Sequence, residues 1–457
     1  MKHVRLKRLL YLSCLIVDFS AFVVIFVVTR RLAEQTHDTW YLGIFGAALA
    51  FSAGMASLLS GWLSSRFDSR IVFVSGSLTV SLAVVCCASG DTATITFLPQ
   101  YCLFGIGLGF IYPTLIGWLN RNEDVQVNHR GMSRTLILYC VSWNVGMMCG
   151  QLTAGSLFEK GVEWLYGLAF AASVVNVFLS IAAARLVTVR PHDSVTDNSD
   201  EGMVTAGDRL SGSDPPNLKI AANFKRLSWI ANLGVTFGVS LVIHLLPDLV
   251  VTIGIAADSH GVLVACGRVV VIATYLLMHV GSFWHYRFSI SLASQLLGLI
   301  GLLVIAWADS AVILYLGLIL HSQLVGYNYF SGLFYSTAGS SHDRRTLAAG
   351  IHEATLSTGM AAGTLAGGVL GTIIGQRAPY VLAAVVLGVV MVVQTIAWCR
   401  WFVFTRADST GPAAESVRSE YPGHGWTGPR RTNGPKQDVA VSQLHHRRRQ
   451  ESDSAEA

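Results

Sequence analysis

The chain has 457 residues, 52% of them hydrophobic and only 13% charged, and its mean hydropathy is +0.52. An ordinary soluble domain is about 25% charged, so the composition excludes a soluble fold and points to an all-α, multi-pass membrane protein. The net charge of +5 reads as loop charge that orients helices, and no nucleic-acid partner is expected.

The first element, "MKHVRLKRLLYLSCLIVDFSAFVVIFVVTRR", starts like a signal peptide. Its apolar run is too long for one and lacks a small-residue cleavage site, so it reads as a retained first span. A span needs about 20 apolar residues. Twelve stretches qualify, near 9–29, 40–60, 71–89, 93–118, 134–157, 163–187, 227–250, 259–279, 288–308, 311–336, 346–374 and 379–404. The stretch 188–224, rich in Ser, Asp, Gly and Pro, divides them six and six and reads as a flexible cytoplasmic linker. The halves are then 1–187 and 225–405, and 406–457 is a polar cytoplasmic tail expected to be disordered. Its run Arg447-Arg448-Arg449 reads as solvated, with anionic headgroups as the alternative.

Lysine and arginine set the orientation. With the N-terminus inside, Lys2, Arg5, Lys7, Arg8, Arg66, Arg70, Arg121, Arg130, Arg287, Arg344 and Arg345 are inner; Arg30, Arg31, Lys160 and Arg377 are outer. Both termini are therefore expected in the cytoplasm of a cell-membrane protein. The eight cysteines lie in or beside apolar runs without metal-ligand spacing; they read as small buried hydrophobes, and neither metal nor cofactor is expected.

Between the second and third spans lies "GWLSSRFDSR", a short basic turn. Gly61 there is expected to end the helix and allow the turn. A fainter copy, "GSFWHYR", separates spans eight and nine. Span five carries Gly146, Gly150 and Ala154; span eleven carries Gly359, Gly363, Gly367 and Gly371. Small residues at every fourth position permit close helix approach. Their recurrence in both halves signals a duplicated transporter architecture.

These features resemble the major facilitator superfamily, across all twelve spans. Its loop motif is Gly-x-Leu-(Ala/Ser)-Asp-Arg-x-Gly-(Arg/Lys)-(Arg/Lys). Gly61, Leu63, Ser64, Arg66 and Arg70 match it; Ser65 replaces the aspartate and Asp68 the second glycine. The resemblance implies two pseudo-symmetric six-helix halves. It implies that Gly61, Leu63, Arg66, Asp68 and Arg70 form a conformational latch between them, weakened by Ser65. In span four Gly105 and Gly107 match the Arg-x-x-x-Gly-x-Gly pattern, with Tyr101 at the arginine's position. In span five Gly146 and Gly150 match the antiporter motif, with Gln151 in place of its proline. Spans one and ten line the cavity in that family.

Ionisable groups inside a bilayer cost at least about 2.5–3.5 kcal/mol on insertion scales and mark functional positions. Asp18, midway along span one, is a proton carrier or solute ligand, or else a neutral acid bonded to a neighbour. Arg268 in span eight needs a carboxylate partner or an anionic ligand, with Asp18 and Glu353 the candidate partners. His352 and Glu353 are adjacent in span eleven and point about 100° apart, so only one can face a given spot; Glu353 is the coupling candidate. His321, Tyr327, Asn328 and Tyr329 in span ten, with His244, Tyr101 and His352, are candidates to line a solute site. Asn144 would bond across helices.

The sequence reads as a non-enzymatic secondary transporter that moves a small solute by alternating access with proton coupling. It is expected to act as a monomer among membrane lipids. "HEATL" lacks the second histidine of a zinc-site His-Glu-x-x-His, and no phosphate-binding glycine loop is present. A transporter-like solute sensor is the alternative.

Overall fold

The computed structural model describes residues 2–36, 38–120, 129–187, 216–340 and 345–404. Arg121, Arg344 and the tail lie outside the described residues, as do most of the linker and the side chains of Ser65, Arg130 and Arg345.

A chain this apolar has to satisfy its backbone hydrogen bonds internally, which favours helices. The described residues form α1 (Lys2–Thr36), α2 (Thr39–Arg66), α3 (Ser69–Ser89), α4 (Leu98–Asn120), α5 (His129–Leu157) and α6 (Val162–Leu186). They continue as α7 (Pro216–His244), α8 (Leu246–Thr252), α9 (Ala257–Val280), α10 (Phe288–Ala306), α11 (Ala311–Ala338), α12 (Arg345–Ile373) and α13 (Ala378–Trp398). All but α8 are long and apolar enough to cross a membrane, giving twelve spans.

Three boundaries differ from the sequence expectation. Gly61 does not end α2, which runs on to Arg66. A Cβ at Gly61 would meet nothing within 4 Å, so neither packing nor the turn demands glycine there. The reversal falls at Phe67 and Asp68, both extended, and Asp68 caps α3 by accepting from the Arg70 amide at 2.9 Å. α7 begins at Pro216, inside the stretch expected to be linker, and its apolar span starts at Ile220. Span seven is also interrupted: α7 ends at His244 and the short α8 follows.

The two halves repeat each other. In the first, α1 packs on α5 and α6, α2 and α3 both pack on α4, and α3 packs on α6. In the second, α7 packs on α12 and α13, α9 and α10 both pack on α11, and α10 packs on α13. The two pairing schemes coincide when each helix is matched to its counterpart. The tight turns also correspond: Gly161, between spans five and six, has φ +131°, and Gly375, between spans eleven and twelve, has φ +126°. Glycine adopts that region without the strain a side chain would bring.

Most of the glycine rows pack inside each half, while Gly371 turns to Thr39 of α2 in the other half. Gly150 of α5 lies against the Phe19 carbonyl of α1, and Gly359 of α12 against the Leu233 carbonyl of α7. Added Cβ atoms would fall 2.6 and 2.7 Å from those oxygens. Gly146 faces the Leu15 carbonyl and Gly363 the Phe237 carbonyl in the same way, while Gly367 lies against the Leu241 side chain. Between the halves, α2 packs on α12 and α5 on α9. These seams close on glycine pairs too. A Cβ at Gly43 would stand 2.7 Å from the Gly368 Cα, and one at Gly155 would stand 2.9 Å from the Gly261 Cα.

Candidate functional site

The intramembrane polar residues gather where the halves meet. α1 is set by Gly146 and Gly150, which let α5 approach closely enough to bring Asp18 inward; a Cβ at Gly146 would be 3.0 Å from the Asp18 Cβ. Asp18 is buried, accepts from the Tyr112 hydroxyl of α4 at 2.6 Å and takes the Cys14 thiol at 3.6 Å. Tyr112, in "GFIYPT", was not among the sequence candidates. A single aromatic in an apolar span carries no local sign that its hydroxyl meets an acid 94 positions away.

On the opposite side of the seam Glu353 of α12 accepts from the Tyr329 hydroxyl of α11 at 3.1 Å. The Tyr329 hydroxyl also lies 3.2 Å from that of Tyr139 on α5. This Tyr139–Tyr329–Glu353 chain crosses from the first half to the second. The Trp143 ring packs on Tyr329 with centroids 5.0 Å apart. His352, next in sequence to Glu353, is fully buried and turns toward α7, where its Nδ1 lies 3.2 Å from the Asn232 amide. Asn232 accepts from Asn328 at 2.8 Å and donates to Thr355 at 2.9 Å. His352 and Asn328 thus belong to a polar knot inside the second half, of which Asn232 is the centre.

A third group lies where α5, α7, α9 and α11 meet. Gln151, Arg268, His321 and Ser322 share a narrow cavity of about 20 Å³ with Val239, Val242, Ile243, Val264 and other apolar residues. Arg268 forms no ion pair with Asp18 or Glu353, contrary to the partners the sequence suggested. Its guanidinium lies over the Phe22 ring, 5.7 Å from the centroid. Phe22 is one helical turn along α1 from Asp18, which is already held by Tyr112 and Cys14.

Three other candidates lie elsewhere. Tyr101 near the start of α4 is wholly buried against Phe45 and Phe97, so it fills an aromatic core and lines no cavity with Asp18. Tyr327, two residues before Tyr329, is turned to the Ser291 hydroxyl of α10. Helix periodicity separates the two tyrosines by about 200°, so they cannot share a site. His244 is buried at the end of α7, where its ring backs onto Gly46 of α2; it is a seam residue at the helix break.

In the loop 61–70, Asp68 is committed within the loop. Its carboxylate accepts from the Arg70 Nε at 2.7 Å, and that hydrogen bond holds it below the usual carboxylate range. The Arg66 guanidinium lies 4.6 Å from the Trp62 ring centroid and is exposed. At the opposite end of the bundle Thr39 of α2 donates to Asp248 of α8 at 2.9 Å, and Arg30 of α1 donates to the Ile255 carbonyl at 3.1 Å. These bonds join the two halves. The buried Asp248 lies two residues from the end of the expected span 227–250, and the sequence reading did not single it out.

Twelve spans in two matched halves, meeting on a polar seam, define a duplicated multi-pass membrane protein. The chain belongs to the Major Facilitator Superfamily, whose model matches residues 9–343. It is 27% identical over 159 residues, or 34% of its length, to the MFS-type transporter TOXA of Cochliobolus carbonum. That match spans 28% of the relative. Its fold is similar to the crystal structure of the human organic anion transporter MFSD10 (TETRAN), with a TM-score of 0.61 and 15% identity, over 86% of this chain and 99% of that one.

Proposed function

We propose that this protein is a secondary transporter that carries a small solute by alternating access, with proton movement coupled through Asp18 and Glu353. One observation carries the reading: two acids, one from each half, converge on the same seam. Each is hydrogen-bonded to a tyrosine, and the Tyr139–Tyr329 contact bridges the halves. Buried carboxyls that change surroundings as the halves move suit a site that takes up and releases a proton. The bonds of Thr39 to Asp248 and Arg30 to Ile255 would hold one end shut and would have to part for that end to open. No chemistry is assigned to the chain; the family and fold are those of a transporter, not of an enzyme.

Both termini are placed in the cytoplasm, from the lysine and arginine bias, and loop 61–70 is read as a latch on that side. The protein is taken to act as a monomer in the cell membrane. Cysteine labelling of intact cells checks the orientation: reagent that reaches a cysteine placed in the 188–215 segment from outside would reverse it. The central test is flux in proteoliposomes. An imposed pH gradient should drive accumulation of a solute found by thermal-shift screening. Binding without flux would make the protein a solute sensor, and gradient-independent flux would remove the proton coupling.

A further inference from the structure

We propose that the cavity around Arg268 binds the carboxylate of a small organic monoanion whose remainder is apolar; this rests on the reading that the chain carries a solute. A guanidinium stays charged at any physiological pH, and a charge withdrawn from water needs a counter-charge or dense hydrogen bonding. Arg268 is 8% exposed, and no hydrogen bond or ion pair joins it to another described residue; Phe22 supplies a ring contact alone. None of the residues lining its cavity is acidic. Asp18, the acid within reach of its charge, makes no direct contact with it and accepts from Tyr112 and Cys14 instead.

The other polar groups fit the same ligand. Gln151 is 5% exposed, and its amide oxygen is buried without a partner. Which end of that amide faces the cavity is a choice set by the ligand, so it can donate to a carboxylate. The His321 ring lines the cavity beside Ser322, whose hydroxyl offers a further donor. Three helices therefore contribute donors to one cavity, and Arg268 can engage two oxygens at once.

The rest of the wall limits the class. Val239, Val242, Ile243, Val264 and Leu318 would solvate an alkyl or aryl group and nothing charged. One guanidinium balances one negative charge, and a dianion would leave the second unpaired in an apolar wall. A cation meets repulsion, and a neutral polyol leaves Arg268 uncompensated. The present 20 Å³ is room for about one water. The cavity in this conformation is thus the subsite for the carboxylate, and the apolar body enters as the halves part.

The test is binding by the purified full-length protein, read by thermal shift and calorimetry without any gradient. The probes are octanoate and benzoate, each against its uncharged amide. The carboxylates should bind at least about tenfold more tightly than the amides, as a charge-assisted bidentate contact implies. Arg268→Gln should abolish that preference. Arg268→Lys, which keeps the charge and loses the fork, should weaken the carboxylates several-fold and shrink the preference without abolishing it. Equal affinity of wild type for acid and amide overturns the proposal, as does a carboxylate preference that survives Arg268→Gln. In nanodiscs, an Arg268-dependent shift produced by phosphatidylglycerol and by neither soluble carboxylate would assign the cavity to a lipid headgroup and likewise overturn it. Loss of pH-driven flux with Arg268-dependent binding intact would instead remove the proton coupling and leave this site standing.

Discussion

Gly43→Ala is the smallest change that separates a moving seam from a fixed one. The added methyl carbon would stand 2.7 Å from the Gly368 Cα and 2.7 Å from the Thr364 carbonyl oxygen. Both are backbone atoms of α12, so no rotamer change relieves the clash. Overpacking of this kind costs about 1–3 kcal/mol. If α2 and α12 separate at that end during transport, only the closed state bears the cost, and the ratio of open to closed rises by about 5–150-fold. A cysteine at position 364 reports it, because Thr364 is fully buried in the closed seam. In a background with the eight native cysteines replaced, maleimide labelling of Thr364→Cys should accelerate by a comparable factor when Gly43→Ala is added. Gly363→Ala is the control: its Cβ would lie 2.5 Å from the Phe237 carbonyl oxygen within one half. It should lower the melting temperature and leave labelling unchanged. A Gly43→Ala protein that melts lower but labels at the unaltered rate would refute the reasoning, since the seam would then be part of the fixed fold.

Gly363→Leu should abolish folding or transport, because the larger side chain cannot fit between α12 and α7; normal expression with normal flux would show that this face is not tightly packed. Asp18→Asn should keep solute exchange and lose accumulation driven by a pH gradient. With no ion pair to Arg268 to break, the variant should express normally, and pH-driven accumulation equal to wild type would exclude Asp18 as the proton carrier. Asp68→Asn isolates the ion pair with Arg70, since asparagine caps a helix as well as aspartate does. The Asp68 carboxyl is depressed by the Arg70 hydrogen bond, so its stabilisation is present above the ordinary carboxylate pKa of about 3.9. It is lost as pH falls through the lower folded value. The variant should melt slightly below wild type at pH 7, with the gap closing as pH drops below about 4; a gap that widens in acid would contradict the pairing.

Much of the candidate site was legible as a parts list. Asp18, Arg268 and Glu353 stand out because an ionisable residue within 20 apolar neighbours is costly wherever it points. Their partners were not legible. Tyr139, 190 positions from Tyr329, and Tyr112, 94 positions from Asp18, look like ordinary span aromatics until the fold sets them against an acid. Tyr101 and Tyr327 show the converse. Both carry a hydroxyl within an apolar span, yet Tyr101 packs against Phe45 and Tyr327 turns to Ser291.

The sequence by itself determined the twelve spans, the division into two halves and the equivalence of the glycine rows in spans five and eleven. Each depends on a property the chain carries locally: apolar length against bilayer thickness, and small residues at one helical period. Only the tertiary structure decided that Gly146, Gly150, Gly359 and Gly363 pack within each half while Gly43–Gly368 and Gly155–Gly261 close the seams between them. It alone decided that Asp68 is committed to Arg70 and that Arg268 forms no ion pair with a carboxylate among the described residues. Which residue a side chain meets depends on helix rotation and on crossings set by packing across the whole bundle. In a membrane, where lipid is as apolar as leucine, hydropathy does not mark which face turns inward.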